Sequence, residues 1–143
     1  MIQRIQSIFL LLACILLSLV FVFPFFKGNQ STSGFFTDSQ YTIQDHPALL
    51  GVTVGAAVIA LIAIFMYKNR SLQQKLVYLA ILLCIALLIV VFVLGFGDTP
   101  DLMNQASIFV GSFLPLLAVV FLGISLRGIR KDDRIVKSMD RLR

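Results

Sequence analysis

Four long stretches without a charged residue or a histidine constrain this chain more than any other feature. They cover residues 8–26, 48–67, 76–96 and 102–126 of the 143-residue sequence. Each can supply the roughly 20 apolar residues that cross a hydrocarbon core about 30 Å thick. The charged fraction is 13%, whereas a soluble domain carries about a quarter charged residues. The sequence therefore predicts one integral membrane domain over residues 1–143.

The predicted fold class is an all-α membrane protein, a bundle of four transmembrane helices. We expect spans at about 6–26, 47–67, 74–96 and 101–127, followed by a basic tail at 128–143. The first stretch was weighed against a cleaved secretory signal, whose apolar core has about 7 to 15 residues, and against a lipoprotein acylation site at Cys14. Its apolar run continues to Phe26, and only a short run precedes Cys14. An uncleaved first span is therefore expected, with Cys14 and Cys84 packing as small apolar groups.

The distribution of basic residues predicts the orientation, because Lys and Arg are retained on the cytoplasmic side. If the N-terminus is cytoplasmic, eleven of the twelve basic residues fall inside and only Lys27 falls outside. The sequence therefore predicts that both termini are cytoplasmic. Ten of the inside residues are expected to contact lipid or a partner: Arg4, Lys68, Arg70, Arg127, Arg130, Lys131, Arg134, Lys137, Arg141 and Arg143.

The connections between the spans carry turn and helix-start signals. The polar first loop, residues 27–47, could carry a short hairpin, and its end, Asp45-His46-Pro47, is typical of a helix start. The short basic turn at 67–76 predicts a tight antiparallel hairpin of spans two and three. The sequence GDTPD predicts that the last helix begins near Pro100.

Two groups of residues indicate helix packing. Gly51 and Gly55 are four residues apart and share a helix face with small neighbours such as Ala56, which favours close approach of another helix, within this chain or outside it. In the fourth span, Pro115 removes the hydrogen bond to the carbonyl of Gly111 and predicts a kink. Ser112 is expected to satisfy the freed carbonyl.

The tail is predicted to continue the last helix as an amphipathic, basic segment. At about 100° per residue, one arc collects the apolar residues, Ile129, Ile135, Val136, Met139 and Leu142. The opposite arc is basic. A polybasic segment of this kind attracts anionic lipid at about 1 kcal/mol per basic residue, and it could alternatively dock a protein partner or an acidic or RNA surface.

Three segments together resemble a known family: MIQRIQSIFLLL at the start, YKNRSLQQKL in the middle and LPLLAVVFLGISLRGIRKDDRIVKSMDRLR at the end. They are similar to a family of small four-span inner-membrane proteins of Bacteroidota, domain of unknown function 4293. Asp133 departs from the pattern, which usually has Glu there. The resemblance implies a bacterial inner-membrane location and no assigned activity, cofactor or site residue.

The predicted function rests on surfaces, because the spans lack the ionisable groups that transporters keep in the membrane, and no cluster of nucleophile, base and orienter is evident. We expect no enzyme activity, no cofactor, no metal and no direct nucleic-acid binding. The leading hypothesis is an accessory subunit beside a larger membrane complex, with protein export or insertion machinery as a candidate. The alternatives are a lipid- or apolar-ligand-binding protein with a pocket among the helices, and self-association through Gly51 and Gly55.

Overall fold

The computed structural model describes residues 2–27, 40–98 and 107–140. Four helices account for most of these residues: α1 (Ile2–Leu19), α2 (Pro47–Phe65), α3 (Arg70–Asp98) and α4 (Val110–Asp140). Three strands of two residues each join them: β1 (Phe26–Lys27), β2 (Gln40–Tyr41) and β3 (Ser107–Ile108). The fold is therefore all-α with one minimal sheet, and the predicted helical class is confirmed.

The helices form a closed ring around a common core. Helix α1 packs against α2 and α4, and α3 also packs against α2 and α4. Neighbouring helices run antiparallel, so the connections between them alternate between the two ends of the bundle. We call the end with the three strands the strand end. The opposite end, formed by the start of α1, residues 66–71 and residues 125–136, is called the basic end.

Small residues let the helices approach closely in the core. Helix α2 buries Ala56, Ala60 and Ala63, which recur every turn on one face, and these alanines pack in the same cluster as Leu10 of α1. Cys84 is fully buried in this cluster, and Cys14 packs against it. Both cysteines therefore lie in the packing positions that the sequence predicts.

The two glycines of α2 lie on another face of the helix. Gly51 is exposed and a Cβ added there would meet nothing within 4 Å, while at Gly55 the nearest atom would be Cδ1 of Leu83 at 3.9 Å. The described residues therefore offer Gly51 no close helix partner, because the alanine face points into the bundle instead. A contact of Gly51 with a second molecule stays a prediction.

The first span differs from the predicted range of about 6–26, because α1 ends at Leu19 and β1 starts at Phe26. Pro24 keeps the chain from returning to helix just before β1, since a proline disfavours helical backbone at the residue before it. The chain then becomes extended, and β1 pairs antiparallel with β2 and with β3. The pairing with β2 closes the polar loop as the short hairpin that the sequence allowed.

The described part of the last helix begins at Val110, and residues 107–108 before it are extended. Residues 107–108, inside the expected span of about 101–127, form β3 and pair with β1, and α4 begins at Val110. Thr99 and Pro100, where the sequence predicted the start, lie outside the described residues, and Asp98 ends α3. At residues 107–108, backbone hydrogen bonds to β1 take the place of those of a helical turn.

Gly111 is in close contact with the chain after α1. Its N–H donates to the Pro24 carbonyl at 3.1 Å, and a Cβ on Gly111 would lie 2.3 Å from that oxygen. The hydroxyl of Ser112 donates to the Phe25 carbonyl at 2.8 Å, so the prediction that it satisfies the Gly111 carbonyl is wrong. Helix α4 continues through Pro115, which is buried.

The helix start at DHP is confirmed in detail. Pro47 is the first residue of α2, and His46 is its N-cap, with Nδ1 accepting a hydrogen bond from the Ala48 N–H at 3.2 Å. The Asp45 carboxylate accepts from the Thr42 hydroxyl at 2.9 Å in the preceding turn. His46 thus has a local role in ending the loop.

Three of the helices are long and apolar enough to cross a membrane: Pro47–Phe65, Arg70–Leu94 and Val110–Val136. A shorter apolar helix covers Ile5–Leu19. Large aliphatic side chains cover the outer surface of α3, including Leu82 and Val93, which are 61% and 62% exposed. This arrangement is consistent with a membrane protein, since such a surface is stable against lipid.

Candidate interaction site at the basic end

A buried hydrogen bond joins the first helix to the last one at the basic end. The Gln6 amide donates from Nε2 to Oδ2 of Asp132 at 2.7 Å. Gln6 is 6% exposed and Asp132 is 8% exposed, so this carboxylate is largely removed from water. A hydrogen bond to a charged group in such a position contributes about 1.5–3 kcal/mol.

Helix α4 is shaped to accept Gln6. Ser125, Gly128 and Asp132 recur at helical spacing on the face toward α1, and the Ser125 hydroxyl donates to the Gln6 carbonyl at 3.2 Å. A Cβ on Gly128 would lie only 2.9 Å from Cγ of Gln6. The missing side chain at Gly128 therefore lets Gln6 reach Asp132.

The α2–α3 turn is attached to the same point. Arg70 donates from its guanidinium to the backbone carbonyl of Asp132 at 3.0 Å. Within the turn, the Gln73 amide donates to the Ala63 carbonyl at 3.0 Å, and Oδ1 of Asn69 accepts from the Leu72 N–H at 3.2 Å. The bonds of Gln73 and Asn69 satisfy backbone groups at the end of α2 and the start of α3, and the Arg70 bond attaches the turn to α4.

The surface around this network is basic. Among the described side chains, five exposed cations lie at this end: Lys68, Arg127, Arg130, Lys131 and Arg134. Asp132 is buried under them, and Asp133 is half-buried in a cleft with Lys68 and Val136. The side chains that reach the surface are therefore mostly positive, which favours anionic or acidic contacts.

The structure brings together most of the basic residues singled out from sequence. Lys68, Arg70, Arg127, Arg130, Lys131 and Arg134 all lie at this end. Arg4 and Lys137 are placed by their helices alone, and Arg141 and Arg143 lie outside the described residues. Arg70 differs from the others because its guanidinium is used within the chain, as a clamp on α4.

Gln6 and Asp132 were not predicted as site residues. Asp132 stands three residues after Ile129 and four before Val136, inside the predicted apolar arc of the tail. A carboxylate within an apolar arc is the sequence signal for a buried polar residue, because the apolar face of a helix packs against the bundle. Ile129 in this arc is fully buried, whereas Ile135 and Val136 are 42% and 37% exposed.

Chemistry of a catalytic or metal site is not evident in the described ranges. Among residues 2–27, 40–98 and 107–140, no three His, Cys, Asp or Glu side chains gather as a metal would require. The polar groups of the basic end are bonded to each other and to backbone carbonyls. Such an arrangement can hold a surface in shape and present charge.

Comparison with known proteins gave one match. A family model described as "Domain of unknown function (DUF4293)" matches residues 2–142. No curated protein and no solved structure matches the chain. The match includes all three segments joined by Asp132: the start of α1, the α2–α3 turn and the C-terminal part of α4.

Proposed function

The chain belongs to the family described as Domain of unknown function (DUF4293), and from its geometry we propose that it is a non-enzymatic accessory subunit packing beside a larger membrane complex. The observation that carries this proposal is the network of Gln6, Arg70 and Asp132. It holds three segments that are distant in sequence as one basic surface. A buried polar network that fixes the shape of a surface is suited to recognition.

The described interior supports an interaction role over transport. Between α1 and α4, the bundle is filled by aliphatic side chains such as Leu10, Leu17, Ala118 and Leu122. Transporters place ionisable groups along their pathway, where they are costly and kept for function. Here the buried carboxylate lies at one end of the bundle, where it stabilises a surface.

We place the basic end in the cytoplasm and the chain in the inner membrane of a bacterium. The basic residues support this orientation, because cytoplasmic segments retain Lys and Arg. The strand end, which carries Lys27, then faces outward. A basic surface facing the cytoplasm suits acidic partners, and protein export or insertion machinery is one such complex.

The docking surface of the proposal is the cleft between the α2–α3 turn and α4. It is lined by Tyr67, Lys68, Ser71, Asp133 and Val136. Tyr67 is 52% exposed and Val136 is 37% exposed, so the cleft offers an aromatic and an aliphatic contact beside a cation. Tyrosine is enriched in the cores of protein interfaces, and charged residues are common at their rims.

Co-purification tests the proposal directly. The tagged protein, expressed at its native level and extracted in mild detergent, should bring with it a defined integral membrane protein, identified by mass spectrometry. The double variant Tyr67→Ala/Lys68→Gln should lose that protein. Gln44→Glu, which also lowers the net charge by one unit and is exposed at the strand end, should retain it.

The proposal is overturned if the native protein is recovered only as a free monomer or homo-oligomer. It is also overturned if Gln44→Glu and Tyr67→Ala/Lys68→Gln release the co-purifying protein equally. Equal release would mean that the cleft does not specify the contact.

Self-association is a second candidate, because Gly51 is exposed and no atom of the described residues lies within 4 Å of an added Cβ. A second copy could approach closely along that face. Replacing Gly51 and Gly55 with Ile should then abolish crosslinked dimers. Unchanged crosslinking would eliminate this candidate.

A further inference from the structure

We propose that the surface shared by α3 and α4 at the basic end binds an anionic glycerophospholipid, with its phosphate among the cations of α4 and an acyl chain along α3. This inference requires only that the chain lies in a membrane, and it does not depend on the accessory-subunit role. It rests on two clefts of opposite character that meet at one contact, between Tyr78 and Arg130.

The first cleft is apolar and lies along α3. Lys75 and Tyr78 line one end of it, and the rest is lined by Leu79, Ile81, Leu82 and Ile85. Tyr78, Leu82 and Ile85 recur at intervals of four and three residues, so they form a stripe about two helical turns long. A groove of this kind on the outer surface of a bundle accepts a hydrocarbon chain.

The second cleft is cationic and lies on α4. It is lined by Arg127, Arg130, Lys131, Arg134 and Ile135. The four cations have the spacing i, i+3, i+4, i+7, which places them on one face of the helix. The neighbouring carboxylates point elsewhere: Asp132 is buried against Gln6, and Asp133 lines the separate cleft at the turn.

One contact joins the two clefts. The guanidinium of Arg130 lies 5.0 Å from the centre of the Tyr78 ring, within the range of a cation–π interaction. This contact positions Arg130 at the Tyr78 end of the apolar stripe. Lys75 lies about one helical turn before Tyr78 on α3. A lipid phosphate at this junction would contact both cations while its acyl chain followed Leu79 and Leu82.

The charge of the junction selects the headgroup. Lys75, Arg130 and the other cations of α4 surround it, and none of the described acidic side chains lines either cleft. A zwitterionic headgroup would bring its own ammonium into this group of positive charges, which repel it. An anionic headgroup such as that of phosphatidylglycerol meets only attraction. Tyr78 has the amphipathic ring that is typical of the interfacial level of a membrane.

Native mass spectrometry of the purified protein with added lipid tests the site. Phosphatidylglycerol and phosphatidylcholine with identical acyl chains serve as probes, and the retained lipid is counted. The native protein should retain phosphatidylglycerol at least about tenfold better. The variant Lys75→Gln/Arg130→Gln should lower this retention to the level of phosphatidylcholine.

The matched control is Lys27→Gln/Lys68→Gln, which also removes two positive charges, at exposed positions outside both clefts. This variant should retain phosphatidylglycerol. Tyr78→Leu, which keeps the stripe apolar and releases Arg130, should weaken retention severalfold. Glycerol 1-phosphate, which has no acyl chain, should not displace the lipid. Thermal unfolding of each variant identifies any that fail to fold.

The inference is overturned if both charge pairs lower retention equally, if the two lipids bind equally, or if glycerol 1-phosphate displaces the lipid. The variant Tyr67→Ala/Lys68→Gln should retain the lipid while losing the co-purifying protein. Failure of the lipid site and failure of the accessory-subunit role are therefore distinguishable.

Discussion

Replacing Gln6 with leucine removes the side chain that satisfies the buried Asp132 carboxylate. The lost hydrogen bond measures 2.7 Å and involves a charged group that is 8% exposed. Removing one partner of such a bond costs about 1.5–3 kcal/mol. Asp132→Leu leaves the buried Gln6 amide without its acceptor, which costs about 1–3 kcal/mol.

The double variant gives the sharper test. When both partners become apolar, neither leaves an unsatisfied polar group, so Gln6→Leu/Asp132→Leu should be close to the native protein in stability. The coupling between the two single changes should therefore equal the sum of their costs, about 2.5–6 kcal/mol. The acceptor of the Arg70 hydrogen bond is the backbone carbonyl of Asp132. This bond is therefore retained in both single variants and in the double variant.

Cys84 provides the assay. It is fully exposed to a thiol reagent only when the bundle opens, and it belongs to the same core cluster as Leu10 and Ile129 near the network. In a Cys14→Ala background, the labelling rate of Cys84 in mild detergent reports the opening equilibrium. Since 1.4 kcal/mol corresponds to a tenfold change, single-variant costs of about 1–3 kcal/mol should make Cys84 label roughly five- to a hundredfold faster.

The double variant should label within a few-fold of the parent. Two results would refute the reasoning. Single variants that label at the parent rate would mean that the bond contributes nothing, and strictly additive effects would mean that Gln6 and Asp132 act independently.

Two glycine substitutions give further expected outcomes. Gly111→Ala should destabilise the protein by about 1–3 kcal/mol, because the new Cβ would lie 2.3 Å from the Pro24 carbonyl oxygen; Gly51→Ala, with open space around it, should label at Cys84 as the parent does. Gly128→Ala should raise the labelling rate in the native sequence, since its Cβ would meet Cγ of Gln6 at 2.9 Å, but should have little effect in a Gln6→Ala background. An equal effect in both backgrounds would contradict the fit between Gly128 and Gln6.

Local signals in the sequence predict much of the helical frame. The start of α2 at Pro47, with its cap at the residue before, depends on neighbouring residues only. The tight connection between α2 and α3 follows from a short polar turn between two apolar runs. The burial of Cys84 follows from its place within an apolar helix. These features need no knowledge of distant segments.

The strand end depends on contacts between segments that are far apart. The stretch from Val20 to Phe26 is apolar whether it is helical or extended, so hydropathy alone extends the first span too far. Pro24 was the local sign of a break. Pairing of β1 with β2 and β3 then decides the conformation, and that pairing brings together residues up to about eighty positions apart.

The basic end shows the same limit. The positions of the basic residues along the chain predict that the cations cluster at one end. They do not predict which cation bonds within the chain and which one reaches the surface. Arg70 clamps α4, and Arg130 rests on Tyr78. Each role depends on which face of a neighbouring helix is opposite, and this information is not contained in the spacing along one helix.

Site-specific photocrosslinking in living cells tests the central claim most directly. A photoreactive residue is placed at position 68, in the cleft of the basic end, and in a matched strain at position 44, which is exposed at the strand end. The account predicts one discrete adduct with another integral membrane protein from position 68 and none of that adduct from position 44. An adduct from position 44 alone, or crosslinks from position 68 to this chain only, would contradict the account.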